Sequence, residues 1–247
     1  MPIRLTTRNL LAELILQALD DPITASAVEC LAAYAETIKN TPAVISPGQL
    51  LLPATQAQRE AVRHSLGHCD LLSWSTQGKV QQVTLAQDFV PECPEIVAKL
   101  VQYSAAIKSW VREESISDIA RALRKGAVLF NHHLFFEVHE VLEAQWIQEV
   151  DPERRFLQGL IQIAVAFYHQ SNGNLRGTLS LLKDGLEKIE PYAAVYLGVE
   201  LSDFAVDIAD CRQDIEQLGQ EGMGQFQRER IPRIRFVSEA STRSHLN

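Results

Sequence analysis

This chain has no CxxC pair, no glycine-rich phosphate loop and no apolar run near the roughly 20 residues that cross a bilayer. Each absence removes a class of protein. Its four cysteines, Cys30, Cys69, Cys93 and Cys211, are too scattered for a zinc site or a disulfide framework. They read as reduced, buried thiols of a cytoplasmic protein. Excess positive charge is missing too: 23 Lys and Arg stand against 31 Asp and Glu, a formal net charge of −8. That balance argues against nucleic acid or an anionic membrane as a broad, nonspecific partner. The opening MPIRLTTRNLLAEL is charged and polar where a signal peptide would be apolar, so no export signal is expected.

What is present is a globular composition, 46% hydrophobic and 22% charged over 247 residues, enough for one or two domains. Helical periodicity dominates. Residues 9–39 form two helical pieces broken at Asp20-Asp21-Pro22, with Thr24 or Ser26 capping the second and Thr41-Pro42 stopping it. Pro47-Gly48 signals a turn, and Thr55 with Gln58 has capping-box spacing for a helix to about Leu66. Asp70 to Ala86 reads as a β-hairpin turning at Gln77-Gly78.

Helices followed by a hairpin invite a winged-helix reading. However, residues 1–100 carry seven Lys or Arg against ten Asp or Glu and so lack the basic footprint of a nucleic-acid-binding domain. The expected fold is mainly α. A mostly helical N-terminal domain with a small hairpin covers 1–92, a connecting helix lies within 93–114, and a bundle of about five helices covers 115–219. Residues 220–247, where Arg228, Arg230, Arg233 and Arg235 gather, are expected as an extended or disordered tail.

The stretch from Phe130 to His169 concentrates the polar chemistry. On a helix over 135–147, Phe135, Phe136, Leu142, Trp146 and Ile147 share one face, the one expected to bury. His139 and Glu143 fall inside that face, four residues apart. Glu140 sits at its edge, and Glu137 points the other way as a solvated or capping carboxylate. A second helix over 156–169 is apolar nearly all round, except for a stripe of Gln158, Gln162 and His169. Buried polar groups need partners. The two stripes are therefore expected to face each other across the short Asp151-Pro152-Glu153 link. The candidate pocket comprises His139, Glu140, Glu143, Trp146, Gln158, Gln162 and His169, with His132 and His133 as surface residues before it.

Three kinds of chemistry suit that set. It could be a closed polar network that fixes helix packing. It could line a binding groove, which makes the leading expectation a cytoplasmic binding or regulatory module. The alternative is a metal-dependent or acid–base enzyme acting on a small molecule through His139, Glu143 and His169. A divalent metal is thus the candidate cofactor, although HEVLE departs from the zinc-protease HExxH. A protein partner, a small ligand and self-association all stay open.

Read together, LFN at 129–131, FFEVHEVLEAQW at 135–146, FLQGLIQIAVAFYH at 156–169 and GN at 173–174 resemble the family catalogued as domain of unknown function 309. The resemblance covers about residues 123–186. It implies a compact all-helical bundle and no established activity. The motif's polar and aromatic positions fall on Glu137, His139, Glu140, Glu143, Trp146, Gln158, Gln162 and His169.

Overall fold

The computed structural model describes residues 3–38 and 43–237, so the expected helix stop at Thr41-Pro42 lies outside the described residues. The protein is mainly α-helical and divides into two compact units, Met1–Arg112 and Glu113–Asn247. Among the described residues no helix is long and apolar enough to cross a membrane.

The first unit runs α1 (Leu5–Ala18), α2 (Pro22–Ile38), α3 (Pro47–Leu50), α4 (Arg59–Gly67), β1 (Leu72–Gln77), β2 (Val80–Leu85) and α5 (Cys93–Ser109). Helix α2 buries Val28, Leu31, Ala32 and Ala35, the residues its periodicity singles out. Its N-terminus is held by Asp21 rather than by Thr24 or Ser26. The Asp21 carboxylate accepts from Thr24 N and Thr24 Oγ1 at 2.7 and 2.6 Å, which holds its pKa below the usual range. Pro47-Gly48 opens a short helix instead of a turn, because Ser46 and Gln49 close a reciprocal capping box in front of it. The helix expected as a connector, α5, packs on α2 and buries Ile96, Leu100 and Tyr103, so it belongs to this unit's core. The hairpin turns at Gly78, whose φ of +65° suits a residue without Cβ. Ile45 bridges antiparallel to Val83 and adds a one-residue third strand, in the order Ile45–β2–β1.

The second unit is a bundle of α6 (Asp118–Asn131), α7 (Phe135–Trp146), α8 (Glu153–Ser171), α9 (Leu175–Ile189) and α10 (Ser202–Gly222). Ser117 caps α6 by accepting from Ala120 N at 3.4 Å. At the centre of the bundle the Phe130 ring stands edge-on to Phe135, Phe167 and Phe204 at 5.3, 6.1 and 5.8 Å. Helices α8 and α9 approach unusually closely. A Cβ at Gly159 would lie 2.6 Å from Ile189 Cγ2, and one at Gly185 2.7 Å from Ile163 Cγ1, so glycine alone fits both places. A small hairpin that the periodicity does not announce, β3 (Val195–Tyr196) with β4 (Val199–Glu200), joins α9 to α10.

The expected tail packs instead of hanging free over its described part. Ile231 and Ile234 alternate with exposed arginines and are buried, as is Phe226. Phe236 bridges to Val199. The Asn131 amide clamps the segment, donating to Ile234 O at 3.0 Å and accepting from Ile234 N at 2.8 Å. Arg230 Nη2 lies 2.8 Å from Asp214 Oδ2. The arginines suggest a solvated tail, but the apolar residues between them supply an inward face. Residues 238–247 lie outside the described residues.

Candidate functional site

Helix α7 follows α6 after a link of three residues and packs against both α6 and α8. Links this short hold neighbouring helices side by side, so α7 is covered on two flanks. Its buried residues are Phe135, Glu137, Val138 and Leu142, whereas Ile147 is 64% exposed. Ile147 is the first of three corrections to the expected wheel. Glu137, assigned to solvent, is fully buried at 0% exposure. His139 and Glu143, assigned to the buried face, lie at its open margin. The wheel counted apolar residues and placed the core on one side; the second covering helix widens the buried arc to take in Glu137. Lys125 on α6 is also buried.

At the open margin, His139 stands between two carboxylates of its own helix. Its Nδ1 is 3.0 Å from Glu140 Oε1 and its Nε2 3.5 Å from Glu143 Oε2. The side chains of His139, Glu140 and Glu143 are 29%, 39% and 46% exposed. The Phe136 ring stacks on His139 at 6.2 Å and meets Tyr168 of α8 at 5.9 Å. The result is a solvent-facing strip of one imidazole, two carboxylates and two aromatic rings.

Gln158 and Gln162 lie half-buried on α8. Trp146 is also half-buried, with the Arg154 guanidinium 4.0 Å above its ring. Trp146 Nε1 and Gln162 Oε1 are buried atoms without a hydrogen-bond partner. His169 does not join this set. Its Nδ1 lies 3.1 Å from the Asn174 amide nitrogen, and Asn174 Oδ1 caps α9 by accepting from Gly177 N at 3.0 Å. His169 therefore serves the turn between α8 and α9. Among the described residues no group of three or more His, Cys, Asp or Glu side chains is placed to hold a metal ion. The expected His139–Glu143–His169 ligand set is thus not assembled.

His132 and His133, expected at the surface, are half-buried. Burial pushes both pKa values below the ordinary range, aided by Arg233 for His132 and by Arg228 for His133. His133 adopts φ +58° and stacks on Phe135 at 5.7 Å. Asn131, the last residue of the LFN motif, thus clamps the C-terminal segment, a role that the motif did not disclose. An apolar cavity of about 670 Å³ lies elsewhere in the unit, between α9 and α10, and is lined by Leu186, Ile189, Tyr192, Leu201 and Ala205.

Residues 123–181, from α6 into α9, match the family model described as Domain of unknown function (DUF309). The chain is also similar to the uncharacterized protein YpuF of Bacillus subtilis (strain 168), with 35% identity over 57 residues. That similarity takes in 23% of this chain and 33% of YpuF, so the chain spans about a third of that relative's length. Both flanks of α7 fall within the family match. The function of this protein is uncharacterised, as is that of its relative.

Proposed function

We propose that the second unit is a binding module whose α7–α8 face receives a basic segment of a protein partner. The observation that carries this reading is His139 lying between Glu140 and Glu143 while all three stay part-exposed. A network serving only to lock two helices would be sealed from water, and a catalytic pair would sit within an enclosing pocket. An open strip of carboxylates beside aromatic faces suits lysine or arginine side chains, through charge complementarity and cation–π contact. His169, engaged by Asn174, counts against the three-residue enzyme reading.

A cytoplasmic location belongs to the same reading. Cys30, Cys93 and Cys211 are buried free thiols, with burial pushing Cys30 up to about 11 and Cys211 up to about 12, so they rest protonated, and unpaired thiols of this kind suit a reducing compartment.

The test is fluorescence polarisation of a labelled Arg-Leu repeat peptide against the whole chain and its Glu140→Gln/Glu143→Gln variant. The expected result is salt-sensitive binding, weakened about tenfold in the variant, with an acidic peptide not bound. Equal binding by both proteins, or none by the wild type, rejects the proposal.

A further inference from the structure

We propose that the first unit binds double-stranded DNA, with α4 entering the major groove and the β1–β2 turn reaching the flanking backbone. The order of elements carries the argument. Helix α2, the Ile45 strand, α3, α4 and the β1–β2 hairpin follow one another, and the sheet is ordered Ile45–β2–β1. This is the connectivity of a winged helix, in which the helix before the hairpin is presented to the duplex and the hairpin forms the wing. The hairpin alone, as read from the sequence, does not establish it. The Ile45–Val83 bridge supplies the missing strand, with Ile45 N donating to Val83 O at 3.0 Å and Val83 N to Ile45 O at 2.9 Å.

Helix and wing form one face. Arg63 Nη2 donates to Gln81 Oε1 at 2.6 Å, and Trp74 Nε1 donates to Leu66 O at 3.3 Å. Helix α4 buries only Val62 and Leu66 and exposes Glu60, Ala61, Arg63, His64 and Gly67. Ala61, with the exposed Ala57 just before the helix, leaves the backbone close to whatever lies against it. The wing exposes Ser75, Thr76, Gln77 and Lys79, hydrogen-bonding groups of the kind that contact phosphates and base edges.

Charge sorts within the unit in the same sense. Residues 43–86 hold Arg59, Arg63 and Lys79, with His64 and His68, against two acids, Glu60 and Asp70. The other eight Asp and Glu of the first hundred residues lie outside that segment. The net charge of −8 belongs to the whole chain, and at physiological salt charges are screened beyond about 8 Å. Arg63 on α4 and Lys79 in the turn are the exposed cations of this face, and Glu60 is the acid that α4 itself exposes.

The test uses the full chain and a labelled mixed-sequence duplex, followed by fluorescence anisotropy from about 20 to about 200 mM KCl. With up to three phosphates neutralised, log K should fall against log salt with a slope of about −2 to −3. The Arg63→Glu/Lys79→Glu variant should bind at least about tenfold more weakly, with unchanged circular dichroism and Tm. The Lys79→Glu variant alone, in an exposed turn, should weaken binding with no bearing on folding. Absence of duplex binding at low salt overturns the proposal, as does binding indifferent to both variants. Loss of self-association in the charge-reversed chain without any duplex binding also overturns it and makes the face a protein contact.

Discussion

The two flanks of α7 carry the same residue types and come to opposite ends. On one flank Glu137 is fully buried, and the adjoining turn carries the half-buried His132 and His133, whose pKa values burial and nearby arginines push down. On the other, His139, Glu140 and Glu143 face water on the α7–α8 seam. All of these residues fall in one short family match of unknown function. The difference teaches that a motif's carboxylates and histidines take their roles from what covers them. One flank is closed by packing; the other stays open to water.

The strongest way to break this comparison is Glu137→Ala. Deleting a fully buried carboxylate leaves a cavity and strips its buried polar surroundings of a partner, so a loss of about 3 kcal/mol is expected in urea unfolding. A midpoint unchanged from wild type would abolish the distinction between the flanks. Next is Asn131→Ala, which removes both hydrogen bonds to Ile234. Each such bond contributes about 0.5–1.5 kcal/mol, so about 1–3 kcal/mol should be lost, with faster amide exchange at Ile234. Undiminished protection there would mean that the clamp does not hold the segment.

Acidification acts on the same flank. His132 and His133 have pKa values lowered in the folded state, so the unfolded chain binds more protons below about pH 6.5. Their contribution is complete above that value and is lost as pH falls toward their folded pKa values. The second unit should therefore melt at lower temperature at pH 5.5 than at about pH 7.5, by a margin reduced in His133→Gln. A Tm that rises over this interval would contradict the assignment. The smallest effect belongs to the open flank. Glu143→Gln should change stability by less than about 0.5 kcal/mol, because its part-exposed pairing with His139 is screened by solvent. A loss as large as that of Glu137→Ala would make both flanks structural.

Much of the fold is legible in the residues. The break at Asp20-Asp21-Pro22 separates α1 from α2, and the Asp151-Pro152-Glu153 link falls between α7 and α8, as the residues place them. The hairpin follows from its turn and flanking strands. The candidate site was legible only in part. His139, Glu140 and Glu143 do meet, but as an open strip, while His169 leaves them for Asn174 and Glu137 goes inside. A helical wheel ranks faces by their own residues and contains no term for a second neighbour. The arginines of the C-terminal segment misled for a related reason: their charge is local information, whereas the docking of Ile231 and Ile234 depends on Asn131 and Val199, far away in sequence.

The sequence by itself determined where most of the helices and the β1–β2 turn lie, because caps, positive-φ glycines and apolar spacing act within a few residues of chain. Only the tertiary structure decided which flank of α7 closes, that Ile45 bridges onto the β1–β2 hairpin, and that the segment after α10 docks. Those outcomes depend on burial and hydrogen bonding between residues distant in sequence. A side chain's exposure is the sum over every element packed against it, and no local pattern carries that sum.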